Sequence, residues 1–316
     1  MPFKRAARIQ TSSPALDQQE VEWWNLHADL IERIWGLSDA LCREVRAGYI
    51  AETRALFQKI TGKKSLHLLE IACGSGWPGR LLADADTHVT GLDFSEKQIQ
   101  LAREKTAASG AVNCDYRCGD VNEIPALLAR GGFDGSFIHC GIHHLSGDEL
   151  LAAARSLAAA PRGTPVILVE PMYHDRRTLL GGMLARILDA AYRVFQKRVS
   201  SGLAIDDAVE AETKSLLEKA ERASWFLSPK EMPFTLDELE AAFGETFTIA
   251  SIEIVTHYAL RLGQFLANLQ DQKQADAIGE KWLPFLSRID RRLIQTGLAA
   301  QLTNQYFFTR IVLIRR

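Results

Sequence analysis

Cysteine is scarce in this chain and unpaired in pattern. The five residues Cys42, Cys73, Cys114, Cys118 and Cys140 are odd in number and contain no C-x-x-C spacing. That speaks against a zinc ribbon and against a disulfide scaffold, and the cysteines read as reduced cytosolic thiols. An excess of either charge is also missing. Lys plus Arg number 37 against 39 Asp plus Glu, a formal charge of −2, so no overall basic field collects nucleic acid. No apolar run is long enough for stable membrane insertion. The basic start Met1-Pro2-Phe3-Lys4-Arg5 leads into a polar stretch, Gln10 to Gln19, where a secretory signal would have its apolar core. The expected location is cytoplasmic. No histidine, cysteine or carboxylate cluster has metal-ligand spacing, so no metal site is expected. Oligomeric state is not written in the sequence.

What is present is a full core. Of the 316 residues, 47% are hydrophobic, which suits one domain with insertions or two small domains. Leu68-Leu69-Glu70-Ile71-Ala72-Cys73-Gly74-Ser75-Gly76-Trp77-Pro78-Gly79 is an apolar run that ends in an acid and a glycine-rich turn. Gly74 and Gly76 let the backbone turn sharply and approach a ligand closely, and Pro78 is tolerated in the first turn of the helix that follows. A bound group would meet bare amides there. Read only as glycines, the turn also fits the G-x-G-x-x-G dinucleotide fingerprint. His88-Val89-Thr90-Gly91-Leu92-Asp93 reads as a second strand ending in an acid that can accept both hydroxyl protons of a ribose, which fits either cofactor. Glu70 breaks the tie, because it is unwelcome beside a pyrophosphate but not beside an amine and a sulfonium. Arg117-Cys118-Gly119-Asp120-Val121 then supplies a third acid and an apolar residue after a third strand, suited to an adenine.

With these residues the chain resembles the class I S-adenosylmethionine-dependent methyltransferase family, whose first motif is an acid followed by G-x-G-x-G. Here the motif is Glu70, Ala72, Gly74 and Gly76, with Ala72 in place of the first glycine. The match covers roughly residues 65 to 171. The resemblance implies that Glu70 and the Ala72 to Gly76 loop hold the methionine part, Asp93 the ribose, and Phe94 and Gln98 the adenosine face. It gives Asp120 and Val121 to the adenine and places Cys140 beside the cofactor. It also implies a seven-stranded, mostly parallel, doubly wound α/β sheet whose last strand runs antiparallel.

The rest of the chain extends that core. Apolar positions recur with helical period through the N-terminal part, as at Leu26, Leu30, Ile34 and Leu41, so 1–62 is read as a helical layer that completes a lid. Residues 63–171 form the cofactor-binding core, in which short apolar runs alternate with helical ones. A helical cap insertion occupies 172–229. The core resumes over 230–259 with the sixth strand, a second helical insertion fills 260–303, and 304–316 is the final strand. Both insertions leave from the carboxyl edge of the sheet, where ligands of such sheets bind, so they are expected to cap the acceptor site.

Methyl transfer from a sulfonium is an in-line displacement, and proximity alone gives effective molarities of roughly 10⁵ M or more. A base adds about 10²- to 10⁴-fold, which matters most for a hydroxyl acceptor. His143 and His144, after the fourth strand, are the base candidates, with His144 favoured, against the reading in which they cap a helix or pack. Tyr173 and His174 after strand five, and His257 and Tyr258 after strand six, are acceptor-contact candidates. Trp23 and Trp24 read as core. The basic residues Arg176, Arg177, Arg186, Arg193, Lys197 and Arg198 are read as a solvated face balanced by Asp189 and the acid-rich segment from Asp206 to Glu221, with contact to an anionic acceptor or a membrane surface as the alternatives. An Asn/Asp-Pro-Pro-Tyr pattern is lacking after strand four, which disfavours exocyclic base amines. The expected activity is O-methylation of a small molecule. Carbon, sulfur or nitrogen methylation of a small metabolite, and a nicotinamide-dependent oxidoreductase on the same turn, are the alternatives.

Overall fold

The computed structural model describes residues 11–36, 40–173, 179–223, 228–299 and 308–316. The helices are α1 (Pro14–Ile34), α2 (Ala40–Thr61), α3 (Trp77–Leu82), α4 (Glu96–Ser109), α5 (Ile124–Gly131), α6 (Gly147–Leu157), α7 (Leu179–Val199), α8 (Asp207–Ala223), α9 (Leu236–Phe243), α10 (Tyr258–Leu266) and α11 (Gln272–Gln295). The strands are β1 (Leu66–Ile71), β2 (Thr87–Asp93), β3 (Cys114–Cys118), β4 (Gly135–His139), β5 (Pro165–Tyr173), β6 (Phe234–Thr235), β7 (Phe247–Thr256) and β8 (Phe308–Arg315). They form a sheet of order β3-β2-β1-β4-β5-β8-β7, with the two-residue β6 beside β5.

Local chemistry sets the ends of these elements. Ser13, Ser95, Ser146 and Thr235 each accept a backbone N–H as an N-cap, and Ser146 with Glu149 and Thr235 with Glu238 close reciprocal capping boxes. The first five strands run parallel, and β8 lies antiparallel between β5 and β7. Successive strand residues face opposite ways, so Leu69, Ile138 and Leu168 bury one face under α5, α6 and α9. Leu68, Phe137 and Ile167 bury the other under α2 and α3.

The N-terminal layer is therefore two different things. Ile50 and Phe57 make α2 a core helix on the sheet. α1 packs instead on α4 and α8, with Trp23, Leu30 and Ile31 against Leu216. Arg46 on α2 ties the two together by donating to the carbonyls of Trp35 and Gly36 at the end of α1. The insertions split in the same way. α8 joins α1, whereas α7, α10 and α11 share a separate apolar cluster around Tyr192, Tyr258 and Leu266. Short backbone links, Asp206 to Asn268 and Gln270 to Ala204, join the two insertions.

Candidate active site

The turn after β1 is built on left-handed backbone. Ala72, Gly74 and Gly76 all have positive φ, at 53°, 53° and 72°. A Cβ added at Gly74 would meet only Gln98 Oε1, at 3.8 Å, so that side of the turn is open to a ligand. At Gly76 it would strike the Tyr116 ring at 2.6 Å, so this glycine is required by packing. Gly79 is likewise a packing glycine, because its Cβ would lie 2.5 Å from Glu70 Oε2. Glu70 is fully buried beneath α3, and burial, reinforced by Asp93 and opposed by Arg80, lifts its pKa to about 8. Glu70, expected to hold the methionine part, lies under the turn.

Asp93, at the end of β2, crosses back to the same turn. Its Oδ2 accepts Gly74 N–H at 2.8 Å and its Oδ1 accepts Ser95 N–H at 2.9 Å. Burial raises its pKa, against the pull of those two amides and of His144. Each oxygen retains a lone pair for a further donor. Gln98 is buried on the first turn of α4 and Phe94 is half-buried between them. Asp120 is exposed and caps the short helix Val121–Glu123 through Asn122 N–H, and Val121 is half-buried.

The turn after β4 meets the turn after β1. Cys140, half-buried, also has positive φ, and Gly141 sits so close to Ala72 that a Cβ would come within 2.5 Å. Gly141 and Ile142 donate their N–H groups to Glu170 Oε1, and His143 Nδ1 pairs with Glu170 Oε2 at 2.7 Å. His144 lies against His143 with ring centres 4.0 Å apart. Its Nδ1 is 3.0 Å from Glu20 Oε1 of α1 and 3.2 Å from Ser228 Oγ, and Trp24 abuts its ring edge-on. Burial pushes the His144 pKa down, but Glu20, then Glu231 and Glu170, outweigh it and the net shift is upward. Burial raises Glu20 in turn, and the bonds from His144, Ser228 and Trp24 bring it below the ordinary carboxylate value.

Residues 68–162 match the family described as "Methyltransferase domain". The ubiquinone biosynthesis O-methyltransferase of Bordetella bronchiseptica is 31% identical over 164 residues, 49% of this chain and 62% of that enzyme. Its Bordetella parapertussis counterpart is 32% identical over 127 residues, 37% of this chain and 47% of that enzyme. Residues 68–162 therefore carry a methyltransferase domain. The chain spans between about half and three-fifths of the length of these two relatives. A methyltransferase structure from Anabaena variabilis superposes with a TM-score of 0.51 at 16% identity, covering 99% of this chain and all of that one. The 4+2 cyclase SpnF superposes equally well, at 0.51 and 14% identity over 99% of both chains, so the shared fold does not fix the reaction.

The residues present fit S-adenosylmethionine. The open side of Gly74, the spare lone pairs of Asp93 and the exposed Asp120 line one carboxyl edge of the sheet, as a nucleoside with an amino acid tail requires. The predicted acceptor residues fare differently. Tyr173 ends β5, and His174 lies outside the described residues. His257 is the N-cap residue of α10, its pKa pushed down to about 2 by burial and Arg261. Tyr258 is buried in the cap cluster, stacked on Tyr192. Sequence reasoning missed Glu20, Ser228, Glu231 and the role of Glu170. A glutamate one turn before Trp24 carries no signal of a histidine 124 positions later. A buried Tyr49–His139 bond of 2.9 Å beside Trp77 was missed as well.

Proposed function

We propose that this chain methylates a hydroxyl group of a small molecule, with His144 as the proton acceptor. When bound, S-adenosylmethionine supplies an electrophilic methyl group. Asp93 and the Gly74 turn would hold it, and α1, lying across α4 with Asn25 bonded to Ser95, would close that edge. The observation that carries the reading is the Glu20–His144 pair. Glu20 engages Nδ1, and nothing among the described residues bonds Nε2, which leaves that nitrogen to take a proton. O-methyltransferases among the relatives support the choice of oxygen.

The test separates binding from chemistry. Asp93→Ala should weaken S-adenosylhomocysteine in calorimetry by tenfold or more, because a carboxylate serving two hydroxyls is lost. His144→Ala should bind it normally and lose about 10²- to 10⁴-fold in turnover of hydroxylated acceptors. Undiminished affinity in Asp93→Ala, or uptake of a nicotinamide dinucleotide in place of the sulfonium donor, would overturn the reading.

A further inference from the structure

α7 turns one apolar face inward and another outward. Leu188, Tyr192, Phe195 and Val199 join the cluster with α10 and α11. On the other side Leu180, Met183, Ile187, Ala190 and Val194 follow one another at spacings of three and four residues and form a continuous stripe. Leu179, Leu180, Met183, Ile187 and Val194 are between 56% and 86% exposed. A helix of a soluble protein normally turns polar residues outward, and a contiguous exposed stripe of this kind marks an interaction surface.

Charge identifies the partner. Arg186, Arg193 and Lys197, spaced by seven and four residues, form a row along one flank of the stripe, and Arg198 lies at its end. Asp189, the one acid of α7, is taken by Arg261 at 3.0 Å. The acid-rich α8 packs on α1 through Leu216, not on this face. Among the described residues no carboxylate pairs with Arg186, Arg193, Lys197 or Arg198. Of the sequence readings, a balanced solvated face fits less well than contact with a membrane surface, because among the described residues α7 carries four basic residues and one committed acid, inside a chain whose formal charge is −2; Arg176 and Arg177 lie outside the described residues. We infer that α7 is a docking surface for an anionic lipid membrane, its apolar stripe entering the interface and its basic row meeting the headgroups. A second copy of the chain fits less well, since antiparallel pairing about a two-fold axis would set the basic row against itself.

The experiment is co-flotation of the full chain with vesicles, which reads binding without turnover and so stands apart from the proposed activity. The protein should float with phosphatidylcholine vesicles containing phosphatidylglycerol and stay behind with phosphatidylcholine alone. Arg186→Gln with Arg193→Gln should weaken binding by about tenfold or more. Met183→Ser with Ile187→Ser should abolish it while leaving the melting temperature unchanged, because both side chains are already in water. Binding should also fade as salt shortens the screening length from about 10 Å at 0.1 M to about 3 Å at 1 M. Failure to float with anionic vesicles, or flotation that neither pair of substitutions reduces, overturns the inference. So does light scattering that shows a dimer dissolved by the serine substitutions together with no flotation.

Discussion

His144 is held by a carboxylate that arrives from another element, and this fixes how its protonation should govern the reaction. The pair Glu20–His144 raises the histidine's pKa, so the ring becomes a base only above that raised value. Turnover should rise with pH through a value above the ordinary histidine range, and Glu20→Gln should move that limb to lower pH, which a pH–rate profile of both proteins measures. A Glu20 of purely packing function would lower the rate without moving the limb. Glu70 poses the opposite problem, a carboxyl that is stable when protonated. Its folded pKa of about 8 exceeds the ordinary 4.5, so the folded state keeps a proton that the unfolded chain has released. Its stabilising effect is complete below about 4.5 and is lost as pH rises toward 8. Glu170 and Glu231, each raised to about 7 mainly by burial, act in the same direction. The slope per proton is about 1.4 kcal/mol per pH unit. Above pH 7, where the buried His139 and His257 are neutral in both states, thermal melts should show stability falling toward pH 8, and Glu70→Gln should flatten part of the decline.

At the level of elements, two glycines in helices predict opposite outcomes. Gly79 has Glu70 beneath it and Val89 Cγ1 at 3.2 Å from a built Cβ, so Gly79→Ala should destabilise by about 1–3 kcal/mol. Gly48 in α2 is exposed and has nothing within 4 Å, so Gly48→Ala should stabilise by about 0.5–1 kcal/mol. Urea midpoints at a common slope would measure both. The same contrast shows what the sequence could reveal. Signals confined to a few residues were legible: the sixth strand within 230–259, the terminal strand, and the acids at or just beyond the ends of β1, β2 and β3. Partners distant in sequence were not. Helical periodicity says that α1, α2 and α8 each bury a face but not against what, so α2 was assigned to a lid although Phe57 lies in the core. Likewise the bond from Ser228 to Glu20 joins residues 208 apart, and no local pattern encodes it.

Across the whole molecule the two ends of the chain carry unequal structural weight. β8 pairs with β5 along seven residues from Pro165 to Pro171 and with β7 on its other side, and Ile311 and Leu313 are buried in the main core. Its loss would open the middle of the sheet and leave two strand edges unpaired, so a chain ending before Phe308 should not fold cooperatively. α1, by contrast, meets the core from outside through α4, α8 and the Glu20 bonds, while α2 keeps the sheet face covered without it. Deleting residues through Gly36 should therefore leave a cooperative unfolding transition at a lower temperature, with turnover lost because His144 no longer has Glu20 and the edge beside Asp93 stands open. Far-ultraviolet dichroism melts of the two truncations would compare them. A C-terminal truncation that still melts cooperatively, or an N-terminal one that is unfolded from the start, would show that stability is distributed differently from the packing described.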